Sequence, residues 1–176
     1  MDLSYGPAYE KLREEVRGFL AESWPPTESQ GQGSDERHFR TLATERGYLY
    51  RSIPRRYGGS EQPSDALAAQ VIREEFGRAR APTEARGVGT MMLVPTLLEK
   101  GEEWQKQRFI APTLSGEIVW CQGYSEPGSG SDLASLQTRA ELVDGEWVIH
   151  GQKIWTSNAH RADNMFCLAR TEPGVS

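Results

Sequence analysis

Apolar residues recur at helical spacing through the first two thirds of the chain and then switch to alternation. From Gly6 to Glu22, the residues Tyr9, Leu12, Val16, Phe19 and Leu20 share one helical stripe, and Pro7 suits the first turn. Trp24-Pro25-Pro26 stops that helix, and the polar stretch from Thr27 to Ser34 reads as a solvated linker. Asp35 can cap a second helix carrying Phe39, Leu42 and Ala43, with Gly47 placed to end it. Tyr48 to Pro63 is a loop whose Ile53-Pro54 and Tyr57-Gly58-Gly59 steps predict tight turns. Ser64 caps a third helix with Leu67, Val71, Ile72 and Phe76 on one stripe. Gly89 to Lys100 is apolar almost all round, which asks for burial on several sides, and Pro95 should kink it or mark its first turn. A further helix follows from Glu102 to about Thr113.

From Glu117 the period becomes two. Ile118 to Cys121 reads as a strand ending in a sharp stop. Leu136 to Val143 and Glu146 to His150 form a hairpin across Asp144-Gly145, a pair suited to the positive φ angles of a type I′ turn. Met165 to Arg170 predicts another strand, and Thr171 to Ser176 is turn-like. The layout is an all-α unit followed by the beginning of a β unit, an α+β arrangement without internal repeats.

Composition narrows the function classes. A net charge of -5 argues against a nucleic-acid footprint or a polybasic membrane patch. No apolar run reaches membrane-spanning length and the N-terminus lacks a basic-then-apolar signal, so the cytoplasm is the default expectation. Cys121 and Cys167 have no metal-ligand spacing and read as buried free thiols. His38, His150 and His160 are scattered, so neither a metal site nor nucleophilic catalysis is supported. Arg55-Arg56 reads as a solvated face rather than an anion site, and Met91 and Met92 as core rather than pocket lining.

The chemistry-bearing stretch runs from Trp120 to Asn158. Its first part is a loop of small and turn-forming residues, Ser125-Glu126-Pro127-Gly128-Ser129-Gly130-Ser131-Asp132, whose N–H groups can approach a ligand closely. Its second part, Gly151-Gln152-Lys153-Ile154-Trp155-Thr156-Ser157-Asn158, joins a planar aromatic to two hydroxyls and an amide. Together they suit a ligand with a flat ring and a phosphate. The same residue types also fit an ordinary surface turn and a buried tryptophan. Glu126 and Asp132 read as carboxylates that fix the loop by accepting nearby hydrogen bonds.

The segment Gly123 to Asp132 resembles the signature loop of the acyl-CoA dehydrogenases, and Gly151 to Asn158 resembles the second flavin segment of that family. Ile53 to Gly59 and Gly101 to Phe109 are similar to two further family motifs, in the same order. The resemblance implies an N-terminal all-α helical domain over 1–117, then a truncated antiparallel β-barrel-like middle domain over 118–176, with the C-terminal helical domain absent. It implies α,β-dehydrogenation of an acyl-CoA thioester with FAD as cofactor and an electron-transfer flavoprotein as acceptor. A homo- or hetero-oligomer is implied as well. Gln122, Tyr124 and Ser125 would lie along the flavin, with Ser125 bonding its pyrimidine edge. Gly130 and Ser131 would approach the cofactor, and Ser131 also the bound thioester tail. Trp155, Thr156 and Ser157 would flank the ring, Ser157 offering a hydroxyl and an N–H. No catalytic residue is expected here, because the family's base is a glutamate in the C-terminal domain.

Two positions depart from the family pattern. Tyr124 stands where a small aliphatic is usual, and Gln122 where an aromatic is frequent. The wording from Cys121 to Pro127 is similar to bacterial members that handle bulky or unusual acyl groups. Two alternatives stay open: a stand-alone flavin-, CoA- or subunit-binding module without activity, and an acyl-CoA oxidase relative.

Overall fold

Gly6, in a left-handed conformation, precedes helix α1, which runs Pro7–Ser23 with proline in its first turn. The computed structural model describes residues 6–24 and 33–172. The expected stop at Pro25-Pro26 and the turn after Glu172 lie outside those residues, as does most of the expected linker. Helix α2 spans Gly33–Glu45, so Asp35 sits in its first turn rather than at its cap. Helix α3 spans Ala66–Arg78 and is capped by Asp65, not Ser64: the Asp65 carboxylate accepts the Ala68 N–H at 2.9 Å. A π-helical turn, Gly89–Leu93, leads into α4, Val94–Lys100, with Pro95 in its first turn. Helix α5 spans Glu103–Ser115, opened by a Glu102/Gln105 capping box and closed by left-handed Gly116.

Packing divides the chain into two units, one of residues up to Ala85 with Lys100–Glu117, the other of Arg86–Glu99 with the residues from Ile118 onward. In the first, α1 packs on α3 and an aromatic cluster fills the interior. Phe39 lies 5.7 Å from Phe19, 5.1 Å from Trp24 and 5.8 Å from Phe76, ring to ring. Val16, Val71 and Phe76 are wholly buried. Each such side chain contributes about 1.5–3 kcal/mol through removal from water. Leu67, expected on the buried stripe, is instead exposed. Arg13 reaches across to the buried Glu75 carboxylate at 2.5 Å and to Glu74 at 2.9 Å, and Arg17 and Arg78 bond the same Glu75. The Tyr57-Gly58-Gly59 turn needs its glycines: Gly58 has φ +88°, and a Cβ on Gly59 would run into the Ile53 carbonyl.

In the second unit, strand β1 is Trp120–Gly123, β2 Arg139–Val143, β3 Glu146–His150 and β4 Asn164–Cys167. β2 and β3 form the expected antiparallel hairpin, with Asp144 and Gly145 both at positive φ. β1 pairs with β4 in parallel, where an antiparallel sheet was expected. The described residues hold these two two-stranded sheets and no closed barrel. Around the π-helical turn the expected all-round burial is partial: Leu93, Val94 and Leu97 are buried, but Met91 is 70% exposed. The architecture is α+β, helices first and strands after.

Candidate functional site

The site lies in the second unit, where β1 ends. The strand both starts and ends two residues later than expected, so Gln122 belongs to it, opposite Phe166. Tyr124 follows and lays its ring 5.7 Å from that of Phe166, and partial burial raises its phenol above the usual value. The chain then reverses over Glu126-Pro127-Gly128-Ser129. The Glu126 N–H donates to the Ser129 carbonyl at 2.7 Å, and the Ser129 N–H donates back at 3.1 Å. Ser129 and Ser135 both give their hydroxyls to the Asp132 carbonyl, at 2.7 and 2.8 Å. The expected role for the Asp132 carboxylate therefore falls to its main chain, because a short 3-10 turn, Leu133–Ser135, starts there and gathers donors on the carbonyl.

Glu126 holds the loop, as its residue type suggested. Its carboxylate, 6% exposed as a residue, accepts the Gln137 N–H at 2.5 Å, the Thr138 N–H at 2.8 Å and the Lys153 ammonium at 2.9 Å. Burial opposes its ionisation, but donation from Thr138, Gln137 and Lys153 outweighs that and lowers the carboxyl to about 2. Lys153 was not singled out in the sequence. Its partners lie 27 and 29 residues away, and a lysine next to a glutamine carries no local mark of burial.

Lys153 also donates to the Tyr124 carbonyl at 3.1 Å, and the Ile154 N–H donates to the Ser125 carbonyl at 2.9 Å. These bonds bring the second segment against the first, and Trp155, Thr156 and Ser157 follow directly after the Ile154–Ser125 bond. Trp155 is not a core residue. It is 85% exposed and has φ +56°, a left-handed conformation that costs a non-glycine residue about 1–2 kcal/mol. Its carbonyl accepts the Ser157 N–H at 2.9 Å, so Ser157 presents its hydroxyl rather than its N–H. Gly130 and Ser131 are exposed at the loop's far end, and among the described residues no hydrogen bond ties them to Trp155–Ser157.

Other expected features fall elsewhere. Arg56 lies over the Tyr57 ring at 4.7 Å, while Arg55 joins Arg40, Tyr50 and Leu114 around a cavity of about 370 Å³ in the helical unit. Cys121 is buried and Cys167 half-buried, both as free thiols. Among the described residues no cluster of His, Cys, Asp and Glu could hold a metal, and no helix is long and apolar enough to cross a membrane.

The residues present fit a flavin. Trp155 offers a bare planar surface. Among the described residues, the hydroxyls of Ser125, Thr156 and Ser157 have no hydrogen-bond partner, nor has the Ser125 N–H. The nearby carboxylate is neutralised by Lys153, so the polar edge of a flavin would meet donors and not a bare negative charge.

Residues 6–117 match the family described as Acyl-CoA dehydrogenase, N-terminal domain, and residues 121–176 match Acyl-CoA dehydrogenase, middle domain. The chain is 39% identical to the acyl-CoA dehydrogenase IpdE1 of Mycobacterium tuberculosis (strain ATCC 25618 / H37Rv), over 94% of this chain and 45% of that protein. It resembles the crystal structure of the ChsE4-ChsE5 complex from Mycobacterium tuberculosis with a TM-score of 0.64 and 32% identity, covering 98% of this chain and 45% of that one. The Tcur3481-Tcur3483 steroid ACAD gives a TM-score of 0.64 at 35% identity, covering 100% and 46%. The chain thus spans less than half the length of these relatives. It belongs to the acyl-CoA dehydrogenase family.

Proposed function

We propose that this chain supplies the N-terminal helical domain, over 1–117, and the first, flavin-facing part of the middle β domain, over 118–176, of an FAD-dependent acyl-CoA dehydrogenase. FAD, when bound, supplies the oxidant that takes a hydride from the β-carbon of the acyl thioester. The chain's own residues bind and orient. Trp155 covers a face of the ring system, Ser125 and Ser157 donate to its polar edge, and Gln122, Tyr124 and Thr156 line it. Gly130 and Ser131 receive the phosphate-bearing part, Ser131 also meeting the thioester tail. The base that removes the α-proton belongs to a part of the family fold outside these residues.

The observation that carries this reading is Trp155. In this chain a large aromatic stands 85% exposed in a left-handed turn, followed by the unspent hydroxyls of Thr156 and Ser157, and so offers a planar surface to a flat ring. The likeness to a steroid ACAD supports a bulky acyl group as substrate. The likeness to the ChsE4-ChsE5 complex supports assembly with a second, related subunit. An electron-transfer flavoprotein is the proposed acceptor.

The test is to purify the protein, record its visible absorption and assay reduction of its flavin by acyl-CoA thioesters without oxygen. A bound flavin bleached by a bulky acyl-CoA supports the reading. A colourless protein that takes up no FAD contradicts it.

A further inference from the structure

Three separate stretches meet at one buried ion pair, and its geometry does more than hold a turn. The Lys153 and Glu126 side chains are 7% and 5% exposed and 2.9 Å apart. Glu126 also takes the N–H groups of Gln137 and Thr138, where the chain enters β2. Lys153 has a second acceptor, the Tyr124 carbonyl at 3.1 Å. In a planar trans peptide the carbonyl and the following N–H point in opposite directions. Drawing the Tyr124 carbonyl toward Lys153 therefore turns the Ser125 N–H away from it. That N–H has no acceptor among the described residues. One residue further on, Ile154 captures the Ser125 carbonyl at 2.9 Å, and the left-handed Trp155 turn starts immediately after.

We propose that Lys153 is a positioning residue for flavin binding: its ammonium, neutralised by Glu126, fixes the Tyr124–Ser125 peptide so that the Ser125 N–H faces the ligand, and sets the Trp155–Ser157 turn beside it. The inference rests on the flavin reading above and goes beyond it, because Lys153 itself need not touch the flavin. Charge neutralisation is part of the device. A lone buried ammonium or carboxylate would be costly, whereas the pair leaves one directed donor for the carbonyl.

The test compares Lys153→Met, Lys153→Arg and the double variant Glu126→Gln/Lys153→Met in the full-length protein. FAD dissociation constants, flavin absorption spectra and melts of the apoprotein are measured for each. Lys153→Met strands a buried carboxylate and should lower both stability and affinity. The double variant carries no unpaired charge, but the amide replacing the Glu126 carboxylate can accept only one of the Gln137 and Thr138 N–H groups, so its apoprotein should melt below wild type and above Lys153→Met. Its FAD dissociation constant should still rise about tenfold or more and its flavin spectrum shift, because the Tyr124 carbonyl has lost its donor. Lys153→Arg, which can still donate, should recover part of the affinity. A double variant with wild-type affinity and spectrum overturns the positioning role while leaving the flavin reading intact. A wild-type protein that binds no FAD overturns both.

Discussion

Glu75 and Glu126 are both buried carboxylates, yet they are embedded in opposite ways. Glu75 sits between α1 and α3, which an aromatic and aliphatic interior already holds together, and its partners are the side chains of three arginines. Glu126 sits among loops and takes two main-chain N–H groups and one lysine. On the neighbouring hairpin, Leu142 and Trp147 are cross-strand partners on the face that also carries Ile149, and all three are exposed in this chain, which spans less than half the length of its relatives. The helical unit is thus held by burial with ion pairs added. The loop cluster of the β unit is held by directed bonds to one carboxylate. Apolar packing tolerates sliding, whereas a main-chain clamp fixes which way each peptide points, and a ligand loop needs the second.

Breaking each carboxylate in turn tests that contrast. Glu126→Ala should be the most damaging, costing about 3–5 kcal/mol, because it strands Lys153 in a buried place and frees two main-chain donors. Denaturant unfolding with amide exchange across 124–138 would register it, the loop losing protection first. Glu75→Gln should cost less, about 1–3 kcal/mol, since Arg13 keeps Glu74 at 2.9 Å and the aromatic cluster is untouched. Equal losses would erase the distinction between the two units.

Acid should separate them from their neutral-pH state in the same direction. Burial opposes ionisation of Glu75, but hydrogen bonds from Arg17 and Arg13 lower its carboxyl below the ordinary value, and Glu126 is lowered to about 2. A carboxyl depressed on folding stabilises the fold above its unfolded value of 4.5 and loses that contribution as pH falls toward the folded value. Stability should therefore fall between about pH 4.5 and pH 2, and Glu126→Gln should flatten the part of that fall arising in the β unit. A melt series across that range checks both slopes.

How much of this could be read from the chain follows from the range of each interaction. The helices were legible because Val16, Phe19 and Leu20, or Val71, Ile72 and Phe76, repeat with the helical period. The hairpin was legible because Asp144-Gly145 supplies its turn. Caps slipped by a residue, Asp65 for Ser64, because both side chains can accept the same kind of bond. The parallel β1–β4 pairing was not legible, since Trp120 meets Asn164 across 44 residues with no local signal. Of the site, the two segments were visible as motifs. What joins them, Lys153 to Glu126 and to Tyr124, was not. Nor was the exposure of Trp155, which its size and planarity would otherwise assign to a core.

Smaller effects concern the ligand side. Ser157→Ala should leave folding unchanged and weaken FAD binding by about 1 kcal/mol, the value of one hydrogen bond, read from a fluorescence titration. Unchanged affinity would remove that hydroxyl from the site.

The most direct measurement is a pair of melts, with and without FAD, on the wild-type protein and on Trp155→Ala. An exposed tryptophan in a left-handed turn contributes little to the fold, so without FAD the two proteins should melt within about 0.5 kcal/mol of each other. With FAD the wild type should gain stability by mass action and the variant should gain less, with a shifted flavin spectrum. A variant that loses stability equally with and without FAD would make Trp155 a structural residue and contradict the account.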